Sequence, residues 1–124
     1  MRAADIIAPY IEKYQRLLAE KNVDELVKKY STYAVFVQKG GYAAYGREEI
    51  REVYKKIVNG PKVTDKTSTA SIVGAGDFII FTDDFKCTLI DDEGHSTAHS
   101  GTFTQIYRKT NRKWSIIHEE IILN

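Results

Sequence analysis

The stretch from Ala98 to Leu123, AHSGTFTQIYRKTNRKWSIIHEEIIL, constrains the fold more than any other part of the chain. It reads as two long strands joined by a tight polar turn, and the two-residue period of a strand fixes which side chains share a face. Phe103, Gln105 and Tyr107 lie on one face; Thr102, Thr104 and Ile106 lie on the other. The second strand depends on the turn. A three-residue loop at Thr110-Asn111-Arg112 pairs Gln105 with Ile117 and Phe103 with Glu119, whereas a two-residue loop at Asn111-Arg112 pairs Gln105 with His118. One residue of turn length exchanges the face of every side chain on the last strand. The longer loop is expected, because Asn111-Arg112 lacks the glycine that favours a two-residue type I′ turn.

At 124 residues the chain is one domain, residues 1-124, large enough for a core and too small for two. Its 18 basic and 17 acidic residues are spread along the sequence for a net charge of +1, which leaves no electrostatic footprint for nucleic acid or an anionic membrane. No run approaches the ~18 consecutive apolar residues of a membrane span. The segment MRAADIIAPYIEKY lacks the apolar core of a signal peptide, since charges return at Glu12 and Lys13. A single cysteine, Cys87, excludes an intrachain disulfide and points to a reducing compartment. A soluble, intracellular (cytoplasmic) domain is therefore expected. Cys87 alternates with Phe85 and Leu89, so it reads as a small core side chain rather than a nucleophile. Tyrosine supplies 8 of the aromatic residues, which implies internal surfaces that are partly polar, because a buried phenol seeks a hydrogen-bond partner.

Helical periodicity runs from Ala4 to Glu20, with Ile7, Tyr10, Ile11, Tyr14, Leu17 and Leu18 on one side. Pro9 suggests that the regular helix starts at about Ile6 to Ala8. Asn22 followed by Glu25 has the form of a capping box, opening a short helix from Val23 to Tyr30. Tyr33 to Gln38 reads as a strand ended by Gly40-Gly41. A third helix follows Gly46, with Ile50, Val53, Tyr54 and Ile57 inward, and Asn59-Gly60-Pro61 stops it. Thr64 to Val73 and Phe78 to Ile90 are strand candidates, the second expected to bulge or lie at an exposed edge around Asp83-Asp84. The order α-α-β-α-β-β-β-β, helices before an antiparallel meander, argues an α+β fold.

The segments EKNVDELVKKYSTYAVFV, YGREEIREVYKKIV and GTFTQIYRKTNRKWSIIHEE, in this order and spacing, resemble the nuclear transport factor 2-like superfamily, in particular its SnoaL-like and kinase association-domain-like branch. The resemblance implies a cone: a strongly curved antiparallel sheet wrapped around the N-terminal helices (a cystatin-like roll), an apolar cavity, and dimerisation through the convex sheet face. It places the Phe103, Gln105 and Tyr107 side in the cavity, since the association domain carries an inward arginine at the position of Gln105. With the longer turn, Ser115, Ile117, Glu119 and Ile121 line the cavity and Trp114, Ile116 and His118 lie outside, where a homodimer would cover them.

Ketosteroid isomerase, a member of that superfamily, uses a carboxylate base, a tyrosine and a protonated carboxylic acid. By the resemblance Tyr14 stands at the tyrosine position, Gln38 or Lys39 at the base, and Phe103 or Thr104 at the acid. An amide cannot act as a general base, so that chemistry is rejected. His95 is expected in a solvated loop. His99 and Glu119 are the remaining catalytic candidates, as an acid-base pair with Tyr14 as donor. No metal-ligand spacing, phosphate loop or nucleophile elbow is present, so no metal or other cofactor is expected. The expectation is a homodimeric cone whose polar-tipped cavity binds a small apolar or amphiphilic molecule, with Tyr14, Tyr54, Phe103, Gln105, Tyr107, Ile117 and Glu119 as ligand-binding residues. The alternatives are an isomerase, dehydratase or cyclase, and an association domain without catalysis.

Overall fold

A computed structural model describes all 124 residues. The apolar stripe of the first segment forms α1 (Ala3–Ala19), which buries Ile7, Tyr14 and Leu17. The helix starts earlier than expected and carries Pro9 inside it: the amides of Asp5 and Ile6 bond the Arg2 carbonyl, so a turn is already formed ahead of the proline. Asn22 accepts the Glu25 amide at 3.3 Å and opens α2 (Val23–Val27). That helix is shorter than expected because Tyr30 already belongs to β1 (Tyr30–Gln38). A short β2 (Ala43–Tyr45), not anticipated, pairs back on β1. Gly46, at φ +79, turns the chain directly into α3 (Gly46–Val58), which buries Ile50, Val53 and Tyr54. Four strands follow: β3 (Lys62–Ala75), β4 (Phe78–Ile90), β5 (Ser96–Thr110) and β6 (Lys113–Leu123).

The six strands form one curved sheet in the order β2-β1-β6-β5-β4-β3, so the fold is the α+β roll that the sequence suggests. One pairing departs from the antiparallel expectation. β6 lies beside β1 in parallel, with Phe36 opposite Glu119. The inner face packs on α1 and α3 through Leu26, Tyr30, Ile50, Tyr54, Ile79 and Tyr107. Three polar side chains are buried with this core: Asp83, Gln105 and Glu119. No helix is long and apolar enough to cross a membrane.

The expected bulge at Asp83-Asp84 is absent; β4 pairs without interruption there on both sides. The irregularities lie elsewhere. On β3, Asp65 and Lys66 together oppose Cys87; on β6, Ile117 is an extra residue between Ile116 and His118; and β1 shifts register against β6 between Tyr30 and Val35.

Candidate functional site

The site is built on the β5–β6 hairpin, and its turn is the shorter of the two alternatives. Thr110 pairs with Lys113, leaving Asn111 and Arg112 as a two-residue loop with φ values of 51° and 66°. Both are left-handed, as a type I′ turn requires, and the twist match between that turn and the strands prevails without glycine. Trp114 and Ile116 consequently turn inward, against expectation: Ile116 is fully buried opposite Tyr107, and Trp114 packs against the core. The bulge at Ile117 then reverses the alternation. Ile117 and His118 both fall beside Ile106 on the outer face, so Ile117 is not a cavity residue, and Glu119 comes inward opposite Gln105. His118 keeps its outward place.

Glu119 is fully buried and held by three elements. Tyr30, from β1, approaches its two carboxylate oxygens at 2.7 and 2.9 Å. Tyr54, from α3, donates to the same group, and the Gln105 amide donates at 2.6 Å from β5. Gln105 is in turn fixed by the Tyr107 hydroxyl at 2.8 Å. Tyr14, from α1, meets the Tyr54 hydroxyl at 2.6 Å. Burial raises the Glu119 carboxyl to about 7, against the lowering effect of hydrogen bonds from Tyr54, Gln105 and Tyr30. Burial and the neighbouring Glu119 also hold the Tyr14, Tyr30 and Tyr54 phenols well above their ordinary value.

A phenol carries one proton. With Glu119 ionised, the protons of Tyr30 and Tyr54 are committed to it. Tyr14 then donates to the Tyr54 oxygen and presents only its own lone pairs elsewhere.

Above this network, between α1, α3 and the sheet, lies a cavity of about 350 Å³, lined by apolar side chains that include Ile11, Leu18, Phe36, Phe81, Phe103 and Ile121. Tyr14 and Tyr54 form part of its wall. Phe103 stacks on Tyr14 with ring centroids 6.2 Å apart. Gln105, Tyr107 and Glu119 do not line it; they form the hydrogen-bonded layer beneath. His99 reaches the cavity, but its Nε2 is bonded to the Thr97 hydroxyl at 2.9 Å. It pairs with Cys87, six residues along β5 from the Gln105–Glu119 rung, or roughly 20 Å of strand at about 3.3 Å per residue. His99 and Glu119 therefore do not form a pair. Gln38 ends β1 opposite Ile121, and His95 is an exposed loop residue bonded to Asp91.

Gln15, Lys66 and Asp83 also line the cavity, outside the expected ligand-binding set; Asp83, weighed as an acid-base candidate, was expected at a bulge or exposed edge. Asp83 was legible: the alternation Ile79, Phe81, Asp83, Phe85, Cys87, Leu89 puts it on the apolar face. Lys66 was not: it shares the parity of Ser68, Ala70 and Ile72, but the largely polar run Thr64–Ser71 offers no apolar face from which to read it. Tyr30 was assigned to a helix and so was missed as a ligand of Glu119.

A curved sheet closed over helices around a cavity defines the nuclear transport factor 2-like class of α+β domains. Within that class the chain belongs to the SnoaL-like domain family, which matches residues 7–121. No curated protein matches it in sequence. Among solved structures, it is similar to a ketosteroid isomerase-like protein from Erwinia carotovora atroseptica (17% identity, TM-score 0.81, covering 98% of this chain and 96% of that one). It is also similar to an NTF2-like protein from Cytophaga hutchinsonii (12% identity, TM-score 0.76, 100% of both chains). A third similar structure, proposed to be a calcium/calmodulin dependent protein kinase II association domain, comes from Xanthomonas campestris (20% identity, TM-score 0.77, 100% of this chain and 89% of that one). At these identities the likeness is one of fold.

Proposed function

We propose that this domain is a small-molecule-binding protein that takes an apolar or amphiphilic ligand into the cavity between α1, α3 and the sheet, and that it works as a homodimer. The carrying observation is the cavity: about 350 Å³, walled mainly by apolar side chains with a few polar groups, within the range of small-molecule sites. The tyrosine–Glu119 layer beneath acts as a rigid floor, since each of its members has a partner. An isomerase or dehydratase acting through His99 and Glu119 is not supported, because the histidine is held elsewhere and the carboxylate is sealed. The outer sheet face supports the dimer. Val35, Val37, Ile80, Ile106 and Ile117 share it with the exposed Val73 and Phe78. The residues offered to a partner thus include Ile117 and His118, with Trp114 and Ile116 withdrawn.

Titration calorimetry with 4-methylbiphenyl, an uncharged apolar probe, tests the cavity. The wild-type protein binds it with a negative heat-capacity change. Leu18→Trp, which fills the space from α1, loses at least about tenfold in affinity, a cost of the size expected from overpacking. Binding that is indifferent to Leu18→Trp would place the probe elsewhere and sink the reading.

A further inference from the structure

Asp83 is 5% exposed and projects from β4 among Phe81, Phe85, Cys87 and Leu89. Its Oδ1 is the one buried side-chain oxygen or nitrogen in the chain with no hydrogen-bond partner. Its Oδ2 has only the Lys66 ammonium, at 3.4 Å, well beyond the length of a charge-assisted hydrogen bond. Folded proteins rarely leave a buried carboxylate so poorly satisfied, and where they do the group calls for an explanation. Lys66 shares the inner face of β3 with Ser68, Ala70 and Ile72, and the extra residue Asp65, at φ 49°, makes the bulge beside it. Both residues line the cavity, and Phe103, directly opposite Asp83 across β4 and β5, stacks on Tyr14.

This pair selects among ligand chemistries. Oδ1 lacks a donor, and the half-exposed ammonium has protons to spare for an acceptor. A ligand carboxylate would be repelled by Asp83, and a ligand ammonium by Lys66. A ketone could accept from Lys66 and would still leave Oδ1 unpaired. A hydroxyl group satisfies both, donating to Asp83 while accepting from Lys66. We infer that Asp83 and Lys66 form the polar subsite of the cavity and that its ligand is a neutral alcohol or phenol on an apolar frame, its hydroxyl group seated between the carboxylate and the ammonium. The inference rests on the proposal that the cavity is a ligand site.

Calorimetry with two probes of one shape, 4-hydroxybiphenyl and 4-methylbiphenyl, tests it at pH 7. The wild-type protein prefers the hydroxylated probe by about tenfold or more, the scale of a hydrogen bond to a charged group. Asp83→Leu brings the two affinities together. It melts no lower than the wild type, because it removes an under-satisfied buried charge, so loss of preference is separable from loss of folding. Lys66→Met weakens the hydroxylated probe and strengthens the cationic 4-(aminomethyl)biphenyl. Binding of both neutral probes with equal affinity, or a hydroxyl preference that survives Asp83→Leu, overturns the inference and leaves the cavity reading standing. Failure of both neutral probes to bind overturns the cavity reading itself, and this assignment with it.

Discussion

Glu119 sets the chemistry of the floor. Its carboxyl titrates at about 7 in the folded protein against 4.5 ordinarily, because burial penalises the charge more than its three donors favour it. Between pH 4.5 and 7 the unfolded chain gives up this proton while the folded chain keeps it, so stability falls as pH rises through that window. It is flat with respect to this group below the window. The full effect is on the order of 3 kcal/mol. Glu119→Gln keeps the shape and abolishes the slope, and urea denaturation of both proteins at pH 4.5 and pH 8 measures the difference. The substituted amide has a place to go. Its oxygen can still accept from Gln105, and its nitrogen can donate to the Tyr30 or Tyr54 oxygen, both of which are within reach. Tyr54→Phe has no such remedy. It strips Glu119 of one donor and Tyr14 of its partner, and should cost about 1–3 kcal/mol while moving the upper end of the pH window higher.

At the scale of elements, the turn and the bulge of the closing hairpin matter more than the helices. The hairpin turn is one residue shorter than its composition suggests, and the bulge at Ile117 adds that residue back, so Glu119 reaches the inside by a route opposite to the expected one. The reason was hidden in the sequence itself. Ile116-Ile117, Glu119-Glu120 and Ile121-Ile122 are doublets, and a doublet offers the same residue type to both faces, erasing the alternation from which register is read. The helices α1 and α3 were legible because each carries a single apolar stripe, whereas β4 was legible as a strand but holds the doublets Ile79-Ile80 and Asp83-Asp84, and the second suggested a bulge that is absent. The tyrosine layer was foreshadowed only as a surplus of tyrosines, since its members come from α1, β1, α3 and β5 and meet through tertiary packing. Two substitutions test these strands. Arg112→Gly relieves a left-handed arginine and should stabilise the protein by about 0.5–1 kcal/mol in thermal or urea denaturation. Gly101→Ala should destabilise it by more than about 2 kcal/mol, because the added methyl would lie 2.2 Å from the Ile122 carbonyl oxygen of the neighbouring strand.

For the whole molecule, the proposed dimer rests on the outer face of the sheet. Ile106 and Ile80 are paired at its middle, so Ile106→Lys should convert a dimer to a monomer in light scattering while cavity binding of 4-methylbiphenyl persists. A monomeric wild-type protein at micromolar concentration would remove the dimer from the proposal. The sheet order has a consequence of another kind. The last strand to be synthesised, β6, lies between the first strand and β5. During synthesis, Tyr30 and Tyr54 leave the ribosome long before the carboxylate that organises them, and β1 waits with an unpaired edge and an exposed inner face. The N-terminal half therefore cannot mature as it emerges, as the leading part of a chain commonly does. The decisive ordering step falls after Glu119 has been made, which makes a nascent chain stalled short of β6 a natural client for chaperones.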